Sequence, residues 1–298
     1  MTTQVLQQQA LRIRSALSDY TILAKPGIVS LTLVAALTGI YFGNRGIIPD
    51  LGMMLWTFIL LGSATAGSCM LNNFYDRDID RVMRRTSLRP LAAATVSARN
   101  VLIAGLILVL APLPLMAWLV NPMTALLTAA AAFGYVVVYT MMTKRRTPWA
   151  NQFGGIAGAL PPVIGYAAVG GGLDANAWIL FVIMAIWQQP HALSLALKYR
   201  DEYAKAGVPV VPVARGINAT KQRIAIYNVL LLAVSVVPYT LGMAGMFYLA
   251  TAIILGTVFL GLSLRFLASP RAHNMFLFFF SIIYLVVLFS TMVFDALP

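Results

Sequence analysis

Residues 51–80 read LGMMLWTFILLGSATAGSCMLNNFYDRDID. Leu51–Leu71 is an apolar run, and a bilayer core about 30 Å thick needs about 20 such residues in a helix. Directly after it come Asp76, Asp78 and Asp80, three of only nine acidic residues in the chain. Asn72, Asp76 and Asp80 are spaced i, i+4, i+8, so successive members rotate by about 40° and share one helix face. Carboxylates at or just outside membrane depth are costly and normally have a task.

Working outward, 60% of the 298 residues are hydrophobic and 10% are charged, which excludes an ordinary soluble globular domain. Nine spans are expected, at about 22–43, 51–71, 100–120, 124–142, 153–170, 176–197, 224–243, 246–267 and 274–294. They leave little room for anything else. The reading is therefore an all-α polytopic membrane protein with a single membrane domain over 1–298. Residues 1–20 form a polar cytoplasmic tail, and 72–99 and 198–222 form cytoplasmic active-site loops. The first apolar run is too long for a signal-peptide core and is expected to be retained.

The net charge of +12 would suggest nucleic acid in a soluble protein, but its distribution gives a different account. Threading nine spans places 20 of the 21 Lys and Arg residues, including Arg12, Arg14 and Lys25, on one side, with Arg45 alone opposite. The positive-inside rule makes that side cytoplasmic. The N-terminus is then inside, the C-terminus outside, and no nucleic-acid partner is implied. Cys69 is the only cysteine, which excludes disulfides and thiolate metal clusters and leaves a small apolar side chain.

The plain alternative for the aspartates is a solvated helix end paired with neighbouring arginines. The scarcity of acids elsewhere, and a second pair at Asp201 and Glu202 on the same side, argue against it. Oxygen ligands without nearby His or Cys suit Mg²⁺ (or Mn²⁺) rather than zinc. Arg77, Arg81, Arg84, Arg85 and Arg89 follow the acids and suit an anion brought in with the metal. A metal–diphosphate site is the expectation. Farther on, Trp187-Gln188-Gln189-Pro190-His191 places a helix-kinking proline and a histidine inside an apolar span, as expected beside a cavity. His191 is read as a ligand or substrate contact, with a structural hydrogen bond as the alternative.

Asn72-x-x-x-Asp76-x-x-x-Asp80, followed by Arg85-Thr86 and Arg89-Pro90-Leu91, resembles the first aspartate-rich motif of the UbiA-type intramembrane prenyltransferases. That superfamily has a bundle of nine transmembrane helices and uses Mg²⁺ to ionise an isoprenyl diphosphate. Within it, several segments resemble the protohaem IX farnesyltransferases, or haem O synthases. They are Lys25-Pro26-Gly27, Tyr139-Thr140 with Lys144-Arg145, the Gly154–Pro162 segment, Trp187-Gln188 with Pro190-His191, and Asp201-Glu202-Tyr203 with Ala206-Gly207-Val208-Pro209. The chain departs from the pattern in lacking a second pair of aspartates four residues apart. It also carries Asp201-Glu202 where Glu-Asp is usual, and Ala192 and Leu193 where aromatic residues are common.

The resemblance implies that Asn72, Asp76, Asp80 and Glu202, with Asp201 as a further ligand, hold Mg²⁺ for farnesyl diphosphate. Lys25, Arg81, Arg85, Arg89, Lys144 and Lys198 are the implied phosphate partners. Tyr139 and Trp187 are candidates to face an allylic cation, and His191 to position protohaem IX through its iron or a propionate. The implied product is haem O, made in a bacterial-type cytoplasmic membrane with a haem A synthase as downstream partner. The alternatives are prenyl transfer to a quinone precursor or other aromatic acceptor, and a membrane transporter.

Overall fold

The computed structural model describes residues 17–44, 47, 50–170 and 172–297. Arg12, Arg14 and Arg45, with most of the polar tail, lie outside them. Among the described residues, nine helices are long and apolar enough to cross a membrane. They are α1 (Pro26–Gly43), α2 (Leu51–Val82), α3 (Ala98–Leu119), α4 (Pro122–Thr143), α5 (Ala150–Gly170), α6 (Ala175–Lys198), α7 (Gly216–Thr240), α8 (Met246–Ala268) and α9 (Met275–Phe294). The only extended pairing among the described residues is a single bridge, Ala244 to Ala296.

Long apolar side chains such as Leu55, Ile59, Trp118 and Phe247 remain exposed around the bundle, as expected where lipid is the solvent. Lipid tails give no hydrophobic drive for helix association, so close backbone contact has to supply it. At the α1–α5 contact, a methyl group added to Gly39 would lie 1.8 Å from the Pro162 carbonyl oxygen. One added to Gly165 would lie 1.9 Å from that of Ala36. This packing holds α1 against α5.

Contacts between loops show which ends meet. Lys25 reaches Asn72, Arg145 reaches Asp78, the Arg85 backbone reaches Glu202, Arg223 lies over Trp149, and Lys221 reaches Ser269. The start of α1 and the connections after α2, α4, α6 and α8 therefore gather at one end. At the other end, Asn121 donates to the Ala167 carbonyl and Gly245 N–H to that of Asp295. This is the alternation that the charge distribution predicts.

One expected boundary is corrected. The segment 72–99 does not begin as a loop, because α2 runs unbroken for 32 residues to Val82. Hydropathy ends at Leu71, but the helix continues because its acids find cationic partners on other elements. The second segment, 198–222, is likewise mostly helical, with short helices Arg200–Lys205 and Val211–Ala214 before α7. Along α6 the helix continues through Pro190 without interruption.

Replacing Gly165 with alanine should lower stability by about 1–3 kcal/mol, since only backbone could move to admit the methyl. Gly261→Ala, where nothing lies within 4 Å, is the control. Thermal unfolding in detergent checks both, and equal melting temperatures would remove the α1–α5 contact as a determinant of the fold.

Candidate active site

Extension of α2 past the apolar run brings Asn72, Asp76 and Asp80 to one buried face, with Asp76 1% and Asp80 4% exposed. Each carboxylate is matched by a cation from elsewhere. Lys144, just after α4, forms a short ion pair with Asp76. Arg89 donates to Asp80 Oδ2 at 2.9 Å. Asn72 Nδ2 donates to Asp76 Oδ2 at 2.8 Å and to Thr140 Oγ1 at 3.1 Å. Its Oδ1 accepts from Lys25 Nζ at 2.8 Å.

Two backbone irregularities make these contacts. Lys25 adopts a left-handed conformation (φ 53°) at the entrance to α1, unusual for a residue with a Cβ. Burial draws its ammonium down to about 8, and the nearby charges of Arg89 and Lys144 push the same way. The last ten residues of α4, Gly134–Thr143, form a π-helix, and Thr140 Oγ1 donates to the Tyr135 carbonyl five residues back. Such wide turns are concentrated at functional sites. Three cations (Lys25, Lys144 and Arg89) thus face two carboxylates, leaving the cluster biased toward an incoming anion.

Asp76 Oδ1 is buried without a hydrogen-bond partner. An orphaned carboxylate oxygen in an all-oxygen setting fits Mg²⁺, which binds through one or two carboxylates, water and substrate phosphate. Among the described residues, no three His, Cys, Asp or Glu side chains converge as a metal cage. The expected contribution of the second acidic pair is not assembled. Glu202 Oε2 accepts the Arg85 backbone N–H at 3.0 Å, and Asp201 is 87% exposed beside Arg200.

The expected phosphate partners also separate. Lys25, Lys144 and Arg89 converge on the acids. Arg85 lies 4.8 Å over the Tyr199 ring, Arg81 donates to the Ala92 carbonyl, and Lys198 is exposed. Asp78 faces away from the site and forms two bonds with Arg145, clamping α2 to the segment after α4.

One helical turn before Asn72, Ser68 and Cys69 open onto a cavity of about 310 Å³. It is enclosed by α1, α2, α4, α5 and α6, with Tyr135, Gly158, Trp187 and His191 in its lining. The glycines of α5 have a packing reason. Gly154 leaves room for the Tyr139 ring, and Gly158 leaves room for the Gln188 side chain, which donates to the Gly155 carbonyl.

His191 is stacked between Trp187 (centroids 5.0 Å apart) and Phe278 (4.4 Å). Its Nδ1 lies 2.7 Å from Ser281 Oγ, which donates to the Phe278 carbonyl at 2.6 Å. Ser281 has one hydroxyl proton. With that proton on the carbonyl, His191 Nδ1–H is assigned as the donor to Oγ. Nε2 is then the nitrogen with a free lone pair. Trp187 Nε1 donates to the Ser281 carbonyl at 2.6 Å, so one residue orients both side chains.

A model of the UbiA prenyltransferase family matches residues 32–288. The chain belongs to the UbiA prenyltransferase family. It is 46% identical over 283 residues to a protein from Aquifex aeolicus named protoheme IX farnesyltransferase, covering 95% of this chain and 96% of that one. A protein of the same name from Neorickettsia sennetsu is 41% identical over 281 residues, covering 93% and 92%. The solved structure of a UbiA homologue from Archaeoglobus fulgidus, bound to DMAPP and Mg²⁺, aligns with a TM-score of 0.62. That alignment covers 92% of this chain and 99% of the homologue at 19% identity, a likeness of fold alone.

For this UbiA family member, Tyr135, Phe278 and Ser281 join the site without having stood out in the sequence, whereas Thr140 and Gln188 stand there only as parts of motif segments, with no role given. Ser281 lies 90 residues from His191, and no local pattern connects them.

The tautomer is directly testable, because the chain has only two histidines. With His273 replaced by Gln, nitrogen-15 spectra of ring-labelled protein should show protonated Nδ1 and bare Nε2. Ser281→Ala should abolish that preference. An Nε2-protonated ring in the otherwise native protein would contradict the assignment.

Proposed function

We propose that the chain transfers a farnesyl group from farnesyl diphosphate to a vinyl group of protohaem IX, with addition of water and release of diphosphate. The observation that carries this reading is one continuous arrangement. A buried acid face with surplus cations stands at the mouth of an apolar cavity, and an oriented histidine lines the cavity wall. Relatives 46% and 41% identical over nearly the whole chain support the choice of acceptor.

In this account Asp76 and Asp80, with Asn72 beside them, hold Mg²⁺, and Glu202 joins once it leaves the Arg85 N–H. Bound there, Mg²⁺ supplies positive charge against the departing diphosphate. Lys25, Lys144 and Arg89 hold phosphate oxygens, the arginine by its planar fork and the lysines as point charges. Arg85 stands at the edge of this group, whereas Arg81 and Lys198 have weaker claims.

The chemistry then requires water to be kept from an allylic cation. The allylic C–O bond breaks, and its electron pair leaves with diphosphate. The vinyl π pair forms the new C–C bond, and the resulting cation beside the tetrapyrrole adds water and loses a proton. The cavity walls exclude water from the first cation, and the ring faces of Tyr135, Tyr139 and Trp187 favour positive charge. His191 Nε2, with its lone pair, is suited to ligate the acceptor's iron.

The cavity volume is at the low end of small-ligand clefts and suits one isoprenoid chain. The tetrapyrrole therefore needs space beyond it, at the histidine end. Transfer to a quinone precursor would use the same diphosphate seat but would leave the Trp187–His191–Phe278 stack without a task. The basic end is assigned to the cytoplasm of a bacterial-type membrane, with the N-terminus inside and the C-terminus opposite. A haem A synthase would consume the product.

Purified protein given protohaem IX, farnesyl diphosphate and Mg²⁺ should form a product with the mass of haem plus a farnesyl and a hydroxyl group. Asp80→Asn should lower its rate by about 100-fold or more, whereas Asp78→Asn should change it only a few-fold. Diphosphate release without the haem product would overturn the acceptor. Normal turnover by Asp80→Asn would overturn the metal assignment.

A further inference from the structure

A second cavity, of about 500 Å³, lies at the basic end of the bundle between the start of α7 and the end of α8. It is lined by Arg200, Arg215, Gly216–Ala219, Lys221, Ser269, Pro270 and Ala272, none of which borders the apolar cavity. No carboxylate is among the described residues that line it. The nearest acid that the contacts show is Asp201, exposed and 3.6 Å from Arg200.

Lys221 is the unusual member, a lysine only 2% exposed. Its ammonium donates to the Ser269 carbonyl at 2.6 Å and lies 4.7 Å from the Phe266 ring centre. Capping the C-terminus of α8 accounts for one of its three N–H donors. Among the described residues no carboxylate forms an ion pair with it, although buried ammonium groups are normally paired. Arg200 donates Nε to the Pro212 carbonyl at 3.0 Å, which holds its guanidinium at the cavity edge. The 25-residue helix α7 begins at the cavity, with φ +84° at Gly216 and no side chain capping its first turn. Its first N–H groups therefore add donors to the three cations.

We infer that this cavity is a second anion site, specific for a phosphate group and separate from the catalytic diphosphate seat. Its level in the bundle points to the source. Arg223, on the first turns of α7, lies 4.3 Å over the ring of Trp149, which is 42% exposed at the start of α5. Half-exposed tryptophans and basic pockets between helix ends are the usual features at phospholipid headgroup depth. A phosphodiester headgroup and a free phosphate share the recognition chemistry, and the test separates them.

The delipidated protein in neutral detergent would be titrated with dioctanoyl phosphatidylglycerol, dioctanoyl phosphatidylcholine and inorganic phosphate, read by native mass spectrometry and thermal unfolding. The expected result is one retained phosphatidylglycerol and a raised melting temperature. Phosphatidylcholine, whose choline would meet the same cations, should bind at least several-fold more weakly. Arg215→Gln, at an exposed position outside the catalytic cluster, should weaken phosphatidylglycerol binding at least fivefold without changing basal prenyl transfer. Stabilisation by inorganic phosphate, with no further gain from lipid, would keep the anion site and assign it a soluble ligand. Binding undiminished in Arg215→Gln and in Arg200→Gln, or no binding of either anion by folded protein, would overturn it.

Discussion

Two nearly buried carboxylates on one helix face, each matched by a cation from another part of the chain, are the constraint on which the rest of the structure depends. Desolvating a charge costs several kcal/mol unless a well-placed partner answers it. Burial of Asp76 and Asp80 is matched by Lys144, arriving from α4, and by Arg89, from the turn after α2. Their pairing fixes the end of α4, the course of residues 83–92 and the start of α1, where Lys25 leans on Asn72. Charges that in water would be a loosely solvated run are here a set of tertiary contacts.

The same constraint leads to chemistry. A cluster with more cations than acids and one unpartnered carboxylate oxygen is poised for a metal and its anion. Because α2 is continuous, the apolar cavity begins one turn from that cluster, so under the proposed function a diphosphate and its hydrocarbon tail would each meet suitable surroundings. Glycines in α5 let Tyr139 and Gln188 pack against the helix, and Ser281 turns His191 and Trp187 from generic membrane side chains into oriented ones. Packing and reactivity are set by the same residues.

Much of this was legible before any coordinates. Nine apolar runs and one-sided basic residues define the bundle, since membrane thickness dictates span length. The i, i+4, i+8 spacing places Asn72, Asp76 and Asp80 together whatever surrounds them. What could not be read depends on tertiary pairing. Charge at residues 76–81 resembles a helix leaving the membrane, yet α2 continues because its partners lie 68 residues away at Lys144 and 9 away at Arg89. Asp201 and Glu202 stood out by composition, but one faces outward and the other is held by a backbone N–H. The π-helix that presents Thr140 has no marker in Tyr135–Thr143, and Lys221 read as one more positive-inside charge although it is buried.

The central claim is that the α2 face holds a divalent cation together with the substrate's diphosphate. Electron–nuclear double resonance on Mn²⁺-loaded protein with an unreactive farnesyl thiodiphosphate tests it most directly. The account predicts a phosphorus-31 coupling to the bound Mn²⁺ that disappears, together with tight Mn²⁺ binding, in the Asp76→Asn/Asp80→Asn double variant. A phosphorus coupling that persists in that variant, or Mn²⁺ bound without phosphorus in the unaltered protein, would contradict it.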